Sequence, residues 1–389
     1  MSELTFRVHP SVAEIPAGQW ESLRDDAWTP FQSRDWMLAL EETGCAVSDR
    51  GWTPMHMALW RGRDLVALAP AYARDDSQGE FVFDHAWANA AHRARIAYYP
   101  KLTLSVPFTP CTGRRIFTRP GEDRETLSRA LVRNTLDTAK RAGLSSVHAL
   151  FLTDDESQAF EAEGGFTRYG VQFHWENPGY RSYDDYLSRF TSRRRKNLRK
   201  EGDAHIEQGI SLRTRRGDEL STSDAAMIHR LYVSTVDKFA WGRRYLTPRF
   251  FERALGTMRE SLELVEAKRG DEVIAGAFNV ASETHLYGRY WGCFEEHPFL
   301  HFAVCYYHSI GECIRRGVKV FEGGAGGEHK LSRGFVPTVT RSAHRVFAPR
   351  LEQAIRDFVA RERAAIEQEL PSVEAEAGLK PWTPAGGDG

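Results

Sequence analysis

The sequence predicts an α/β (α+β) fold made of two similar units in tandem. The chain has 389 residues, a length typical of two domains. Two apolar runs joined at an Arg-Gly pair, a pattern typical of a β-hairpin, occur at 57–73 and again at 262–281. Each hairpin is followed by an amphipathic helical segment and a basic-glycine step into an apolar strand, once at Gly143 and once at Gly317. This repeated order of elements predicts a duplicated α/β unit.

Helical sequence precedes each of the two hairpins. It covers 18–43 in the first half, and 183–208 and 222–260 in the second half. The first half also carries extra chain between its hairpin and its helix. The candidate for this insertion is 75–110, which begins polar and continues rich in aromatic residues.

The elements of the second unit are the clearest. Phe302, Tyr306 and Ile310 belong to an apolar spacing that predicts a helix, and Pro298 suits the first turn of that helix. The expected elements are strands near 261–268, 272–281 and 284–292, a helix over 299–316 and a buried strand at 318–323.

The predicted domain boundaries follow from this order. They are a first unit at 1–176, a second unit with the main site at 177–350, and a tail at 351–389. The tail begins as a charged helix and ends in a stretch rich in glycine and proline, which we expect to be disordered.

Composition excludes several classes of protein. Lys+Arg 52 against Asp+Glu 53 gives a net charge of −1, so there is no overall basic field for coating nucleic acid. No uncharged apolar run reaches the roughly 18 residues of a membrane span, and the N-terminus lacks the pattern of a secretory signal. The five cysteines are scattered and odd in number, which favours reduced thiols in a cytoplasmic protein.

A basic cluster at Thr191–Lys200 is the first candidate site. Six of its ten residues are Lys or Arg, a density that predicts a phosphate-binding surface for a nucleotide, a tRNA end or another anionic carrier. The alternative is a solvated helix face that pairs with nearby carboxylates at 184–185 and 201. The donor-binding residues predicted here are Arg193, Arg195, Lys196 and Arg199.

A glycine-rich loop at 323–327 is the second candidate site. It follows a predicted buried strand, so the backbone there can approach a ligand closely. Glu328, His329, Lys330 and Arg333 follow it directly, and we expect Glu328 or His329 to accept a proton. The alternative is a purely structural turn, which has no need of this polar cluster.

Several aromatic and basic residues are predicted as walls of a cleft. Arg289, Tyr290 and Trp291 lie in a predicted strand, where the alternative is a cation–π pair on the surface. Lys238 and Trp241 form a similar mixture. His174 is a further cleft candidate, with a buried tryptophan and a hydrogen-bonded histidine as the favoured alternative.

Helix spacing also places four possible zinc ligands on one predicted face. They are His301, Cys305, His308 and Glu312. No Cys-x-x-Cys or His-Glu-x-x-His pattern supports a metal site, so we favour a packing face with a polar rim and expect no metal.

A group of motifs resembles the FemAB-like family of bacterial N-acyltransferases, which is linked by name to peptidoglycan biosynthesis or recognition. The resemblance covers about residues 5–350. The motifs are Tyr98-Tyr99-Pro100-Lys101-Leu102, Val106-Pro107-Phe108-Thr109-Pro110, Gln172-Phe173-His174-Trp175, Gly288-Arg289-Tyr290-Trp291-Gly292, Gly327-Glu328-His329-Lys330 and Arg333-Gly334-Phe335. The resemblance implies two tandem GNAT-like (Gcn5-related N-acetyltransferase) domains, each a mixed, mostly antiparallel twisted sheet flanked by helices.

The resemblance also bears on the acyl donor. Relatives that use acetyl-CoA hold its pyrophosphate on a glycine-containing loop, and the nearest match here is Arg289–Phe294. Glu295 and Glu296 follow directly and would repel a pyrophosphate. The better-known Fem ligases use aminoacyl-tRNA, so the resemblance implies that donor, with acyl-CoA as the second choice and no resident cofactor. This chain lacks a long helical tRNA arm, so tRNA would contact a patch such as 193–200.

These observations together predict an N-acyltransferase of the GNAT or Fem type that moves an aminoacyl group onto an amine. Lys330 or Arg333 would stabilise the oxyanion. The alternatives are a non-catalytic module that binds peptidoglycan precursors or anionic glycans, and an acyl-CoA-dependent N-acetyltransferase. A scaffold protein would explain neither the glycine loop nor the polar residues after it.

Overall fold

The computed structural model describes residues 3–238, 242–324 and 326–382. Its strands are β1 (Leu4–His9), β2 (Trp52–Pro54), β3 (His56–Arg61), β4 (Asp64–Ala69), β5 (Ala71–Arg74), β6 (Lys101–Leu104), β7 (Phe117–Thr118), β8 (Ser146–Leu152), β9 (Phe166–Glu176), β10 (Ile210–Arg216), β11 (Leu262–Arg269), β12 (Glu272–Ala281), β13 (His285–Cys293), β14 (Val320–Glu322) and β15 (Val336–Val346). Its α-helices are α1 (Ala17–Glu21), α2 (Arg34–Glu42), α3 (His85–Arg93), α4 (Arg124–Arg141), α5 (Asp154–Ala162), α6 (Tyr183–Ser188), α7 (Ser192–Glu207), α8 (Ala225–Val236), α9 (Pro248–Met258), α10 (Leu300–Phe302), α11 (Ser309–Arg316) and α12 (Pro349–Glu376). None of these helices has the length and apolar character needed to cross a lipid bilayer, within the part of the chain that the structure describes.

The chain forms two compact units, and their boundaries differ from the predicted ones. The first unit contains the residues up to Val171 and the segment Val339–Gln368. The second unit contains the segment Gln172–Thr338 and the residues from Glu369 onward. In both units this refers to the described residues. Segments predicted as second unit and tail therefore belong to the first unit. The physical reason is long-range: β15 pairs antiparallel with β8, and α12 buries three apolar side chains in a core cluster of the first unit. These are Leu351, Ile355 and Val359.

The first unit contains two sheets. One has the order β1-β3-β4-β7, and the other contains β2-β5-β6-β8-β15. Strands β6 and β8 are parallel, with α4 between them in the chain, and the neighbouring pairs are antiparallel. Helix α4 buries Leu131 and Val132 in the same cluster as Val147 of β8, so the sheet and the crossover helix share one core.

The second unit repeats this order of elements. Its sheet has the order β10-β11-β12-β13-β14-β9. Strands β13 and β14 are parallel, the other pairs are antiparallel, and the helical stretch 300–316 joins the two parallel strands. The tandem α/β prediction is confirmed, and the predicted strands of this unit agree with the observed ones to within about two residues at most ends.

The repeated basic-glycine step is a helix end in both units. Gly143 follows α4 with φ 73°, and Gly317 follows α11 with φ 69°. This left-handed conformation favours glycine because a side chain would clash with the backbone. Arg141 and Arg316 lie in the preceding turns, where a cation interacts favourably with the helix dipole.

The predicted helix at 299–316 contains an irregularity. Residues Ala303–His308 form a π-helical segment between α10 and α11, and a π segment shifts the faces of the helix that follows. His301 and Cys305 therefore border one cavity, whereas His308 and Glu312 border another. Among the described residues no cluster of His, Cys, Asp and Glu could hold a metal ion.

Gly292 of β13 is expected to be the glycine least tolerant of substitution in the second unit. A Cβ at this position would lie 2.0 Å from the Leu231 carbonyl oxygen of α8, and a backbone atom cannot move aside cheaply. We expect Gly292→Ala to lower the free energy of unfolding by about 3 kcal/mol, measured by urea denaturation. The control is Gly256→Ala in α9, where the nearest atom is an ordinary 3.7 Å away. That variant should gain up to about 1 kcal/mol from helix propensity, and equal effects of the two changes would contradict the close approach.

Candidate functional site

A cavity opens where the two parallel strands of the second unit separate. Strands β13 and β14 pair only from His285–Val320 to Tyr287–Glu322. Beyond that point β13 continues to Cys293, whereas the chain after Glu322 leaves the sheet as the glycine loop. The cavity between them has a volume of ≈ 290 Å³. Ligands of open α/β sheets bind at such carboxyl ends of strands.

Three predicted cleft residues of β13 border this cavity. They are Arg289, Tyr290 and Trp291. Phe278 pairs with Tyr290 and Asn279 pairs with Gly288, so Arg289 is the extra residue of a β-bulge. A bulge redirects the side chains around it and is common beside active sites. The Arg289 guanidinium lies 5.3 Å from the Tyr290 ring centroid, so a cation is present in the cavity wall.

Lys330 is buried at the opposite wall and holds the glycine loop. Its Nζ donates hydrogen bonds to the carbonyl oxygens of Gly324 and Gly326, each at 2.6 Å. Both glycines have positive φ, 79° and 71°, the conformation that turns their carbonyls inward and disfavours other residues. Because Lys330 is 2% exposed, burial lowers its pKa to about 8. A cation that loses its proton near neutral pH therefore borders the cavity.

His329 lies next to Lys330 with an exposed side chain. Its Nε2 shares a 3.0 Å hydrogen bond with the Tyr306 hydroxyl of the π segment. Partial burial lowers the pKa of His329, and the charges of Arg333 and Lys330 lower it further. A histidine with a lowered pKa is neutral at pH 7, so its ring can accept a proton.

Arg333 is engaged away from the cavity. It is 5% exposed, and its guanidinium lies 3.6 Å from the Phe302 ring centroid. It donates hydrogen bonds to the His329 carbonyl at 2.8 Å and to Glu201 of α7 at 2.5 Å. The position of Arg333 is thus suited to fixing the turn that carries His329, whereas the oxyanion role predicted for it requires a group at the cavity wall.

Two predicted site residues fall outside the described part of the chain. These are Trp241 and, for its side chain, Glu328. Lys238, predicted beside Trp241, is exposed and forms a 2.8 Å ion pair with Glu296.

His174 is buried in β9. Its Nε2 lies 3.4 Å from the Gln172 side-chain oxygen and 3.9 Å from a Glu322 carboxylate oxygen. Burial lowers the pKa of His174 to about 4, and the charge of Lys330 acts in the same direction. His174 is not among the described residues that border the cavity, and its surroundings match the buried-histidine alternative.

The predicted basic cluster forms the start of helix α7. Thr191 caps the helix by accepting a hydrogen bond from the Arg194 amide. The side chains of Arg193 and Lys196 are exposed and Arg195 is half-buried. Arg199 forms a 2.7 Å ion pair with Asp184, as the alternative interpretation proposed for this face.

Helix α7 is attached to the turn that carries His329 and Lys330. Arg194 Nε donates a 3.0 Å hydrogen bond to the Ser332 carbonyl, and Glu201 accepts from both Arg333 and Tyr307. The exposed cations of α7 therefore lie on an element that directly supports the site. A second cavity of ≈ 350 Å³ borders α7 and the π segment, lined in part by Arg199 and His308.

The segment that resembles a pyrophosphate loop is not a loop. Arg289–Cys293 belong to strand β13, and Gly292 packs against the backbone of α8. The predicted repulsion by Glu295 and Glu296 is weaker than expected, because Glu295 pairs with Arg269 and Glu296 pairs with Lys238. The extended, packed backbone is the stronger argument against pyrophosphate binding there.

Two polar residues of the cavity wall, Asn279 and Tyr306, are not among the site residues predicted from the sequence. The apolar spacing predicts Tyr306 as a packing residue of a regular helix, because a π segment leaves no clear sequence pattern. Asn279 carried a visible signal, since it is the only polar residue between Val273 and Ala281.

The chain is similar to known proteins over most of its length. A family model described as FemAB-like, peptidoglycan biosynthesis/recognition, matches residues 11–381. No curated protein matches the sequence significantly. The solved structure of FemX is 12% identical and aligns with a TM-score of 0.50 over 88% of this chain and 98% of its own. L-PGS from Bacillus licheniformis is 10% identical, with a TM-score of 0.50 over 86% of this chain and 99% of its own. At these identities the two structures show a shared fold.

Proposed function

The chain belongs to the FemAB-like family, and from this membership we propose that it is an N-acyltransferase that works in the cavity beside Lys330. The donor in this proposal is an aminoacyl ester of tRNA, and the acceptor is an amine of a peptidoglycan precursor. The family description, peptidoglycan biosynthesis/recognition, supports the class of acceptor. The position and hydrogen bonding of Lys330 are the observation that carries the proposal.

Acyl transfer to an amine requires a group that stabilises the negative charge on the carbonyl oxygen. A charged lysine has three N–H donors, and two of those of Lys330 are used by the carbonyls of Gly324 and Gly326. The third has no acceptor among the residues that the structure describes, and we propose that it binds an acyl oxygen in the cavity. The two loop carbonyls hold the ammonium in place before the substrate arrives, so little reorganisation accompanies the reaction.

The reaction also requires a proton acceptor for the attacking amine. His329 is neutral at pH 7 because its pKa is lowered, and Tyr306 orients its ring through the 3.0 Å hydrogen bond. We therefore propose His329 as the base. Glu328, the next residue in the chain, is the alternative.

The basic helix α7 suits the phosphates of the donor. Arg194 and Glu201 attach this helix to the turn that carries His329 and Lys330. The exposed cations of α7 therefore lie on a helix that contacts the site. Phosphate contacts position a nucleic acid without reading its sequence, which is what a bound donor requires. Acceptor groups would contact Arg289 and Trp291 at the other wall of the cavity.

Charge reversal on α7 tests the place of the donor. We expect Arg193→Glu combined with Lys196→Glu to weaken binding of charged tRNA at least tenfold, because two phosphate contacts are replaced by repulsion. The slope of log affinity against log salt should fall by about one for each lost contact. Filter binding at several salt concentrations measures both quantities.

The matched control reverses two exposed cations elsewhere in the second unit. Arg249→Glu with Lys319→Glu makes the same change in net charge, so it should change tRNA affinity little. Equal losses in the two double variants would mean that overall charge, and not helix α7, determines binding.

Acyl-CoA is expected to be a poor donor. Because 289–293 is an extended strand paired with β12 and Gly292 packs against α8, the segment does not form a loop at a helix N-terminus, where successive amides hold a pyrophosphate. Calorimetry with acetyl-CoA should show no saturable binding in the micromolar range. Micromolar binding that Gly288→Ala and Arg289→Ala abolish would contradict this prediction.

Single-turnover assays separate the proposed reaction from the alternatives. Charged tRNA, acyl-CoA and an acyl carrier are supplied as donors, with a peptidoglycan precursor that bears a free amine. The proposal expects transfer from charged tRNA alone. Precursor binding without transfer from any donor would favour a recognition module, and transfer from acyl-CoA alone would favour an N-acetyltransferase.

A further inference from the structure

One buried amide lies without a partner at the wall of the cavity. The Asn279 side chain is 3% exposed, and its Nδ2 has no hydrogen-bond partner among the residues that the structure describes. Asparagine is disfavoured in strands, and an unpaired buried donor costs folding free energy. A polar residue at this point of an apolar strand thus lowers stability without a compensating contact in the free protein.

The place of Asn279 in the sheet leaves open space beside its amide. Asn279 of β12 is paired with Gly288 of β13, and directly opposed residues present their side chains on the same face of a sheet. Gly288 has none, and both residues border the cavity. A Cβ at Gly288 would meet the Phe321 ring at 3.4 Å and the Gly323 Cα at 3.7 Å. The face of the sheet that Asn279 shares with Gly288 therefore adjoins Gly323, the first residue of the glycine loop that Lys330 holds.

A second buried asparagine of the same unit shows the contrast. Asn177 is 8% exposed, and its Nδ2 donates a 3.1 Å hydrogen bond to the Val318 carbonyl. Its side-chain oxygen accepts from the amides of Gly179 and Tyr180 at 3.0 and 2.8 Å. Both polar atoms of the Asn177 side chain are thus hydrogen-bonded within the fold, whereas Asn279 Nδ2 has no partner among the described residues.

We propose that the Asn279 amide donates a hydrogen bond to the carbonyl oxygen of the acyl group during transfer. This inference rests on the proposed function and names a second oxyanion donor for it. Lys330 and Asn279 border the same cavity from the loop and from the sheet. An acyl oxygen between them would receive one charged and one neutral hydrogen bond.

The proposed reaction follows the usual course of acyl transfer from an ester to an amine. The amine nitrogen bonds to the acyl carbon, and the carbonyl π electrons move to the oxygen held by Asn279 and Lys330. His329 takes the proton of the amine. The carbon–oxygen double bond then re-forms, the ester bond to the donor breaks, and the proton passes to the leaving oxygen.

The size of the cavity indicates the kind of acyl group. Its volume of ≈ 290 Å³ is at the lower end of the range for small-molecule sites, about 300–1,000 Å³. It suits an acyl group of amino-acid size with its carbonyl. A nucleotide would remain outside, on the surface that leads to helix α7.

The two asparagines provide a matched pair of variants. Asn279→Ala should lower kcat/KM about 10²–10³-fold, the typical cost of one oxyanion donor, and about tenfold of this loss should be weaker binding of the acyl carbonyl before the reaction. Its melting temperature should equal or exceed that of the wild type, because the change removes an unpaired buried group. Asn177→Ala should show the opposite result, a lower melting temperature with unchanged kcat of the folded protein. A fall in melting temperature of Asn279→Ala with full kcat would overturn the inference.

Binding of a donor analogue gives a readout without turnover. The probes are 3′-amino-3′-deoxyadenosine and its alanyl amide, which carries the acyl carbonyl in a stable bond. In calorimetry the alanyl amide should bind more tightly than the amino nucleoside without the alanyl group. This gain in affinity should be about tenfold smaller for Asn279→Ala than for the wild type. An equal gain in both proteins would overturn the inference, and normal transfer by the wild type would then leave the proposed function intact. A wild type that neither transfers an acyl group nor distinguishes the probes would overturn the proposed function and the inference together.

Discussion

Lys330→Met is expected to lower the rate of acyl transfer about 10³-fold, since it removes the charged hydrogen-bond donor at the oxyanion. Methionine keeps the length and the apolar stem of the side chain. It cannot bind the carbonyls of Gly324 and Gly326, which Lys330 holds at 2.6 Å, so the loop also loses its anchor. Single-turnover rates with charged tRNA measure the effect. A variant that folds normally and transfers at the wild-type rate would exclude Lys330 from the reaction.

The pH dependence of the rate tests which form of Lys330 is active. Its pKa is lowered to about 8, so kcat/KM of the wild type should fall above that pH as the ammonium loses its proton. Lys330→Arg keeps a charge throughout this range. This variant should react more slowly, because the planar guanidinium fits the loop poorly. Its kcat/KM should not fall above pH 8. A wild-type rate that keeps rising through pH 8 would instead make neutral Lys330 the base.

Stability provides an independent check on the pKa of Lys330. Because the folded-state pKa lies below the ordinary value of 10.5, the folded protein binds this proton less well than the unfolded chain. The resulting destabilisation is fully present below about pH 8 and is lost as the pH rises toward 10.5. Relative to Lys330→Met, the wild type should gain about 3 kcal/mol over this interval, measured by urea unfolding. A constant difference between the two proteins would mean that the pKa is not lowered.

The repeated architecture could be predicted because its signals are local. A hairpin turn and a helix end each depend on a few adjacent residues, such as Arg269-Gly270 and Arg316-Gly317, whose glycines have positive φ in the structure. The domain boundaries could not be predicted in the same way. They depend on the pairing of β15 with β8 and on the packing of α12, contacts between residues almost 200 positions apart.

The candidate site was predictable where it forms a continuous stretch of chain. The glycine loop with His329 and Lys330 was visible as a motif, and so was Arg289–Trp291. The bulge that makes Arg289 an extra residue was not visible, because it exists only in the pairing of β13 with β12. Likewise, the orientation of Arg333 depends on Glu201 of another helix, and the sequence around Arg333 does not indicate that partner.

His329→Ala is expected to lower the rate of transfer about 10²–10⁴-fold, the usual contribution of a general base. The side chain is exposed, so the melting temperature should change little. His92→Ala in α3 of the first unit, also an exposed histidine, is the control and should keep the full rate. If His329→Ala also keeps the full rate, the proton acceptor is not His329, and Glu328→Gln should then show the loss.

Tyr306→Phe separates the orientation of the base from its chemistry. The change removes the hydroxyl that lies 3.0 Å from His329 Nε2 and retains the ring that packs on Phe335. We expect a fall in kcat of about tenfold, the value of one lost hydrogen bond, with KM unchanged.

Because burial lowers the pKa of His329, the wild-type rate should be constant at neutral pH and fall only below the ordinary histidine range. In Tyr306→Phe the acid limb should shift, since the pKa of His329 depends on its hydrogen-bond partner. An unchanged acid limb with an unchanged kcat would show that Tyr306 only packs, and that the His329 ring is held by its neighbours His301 and Phe302.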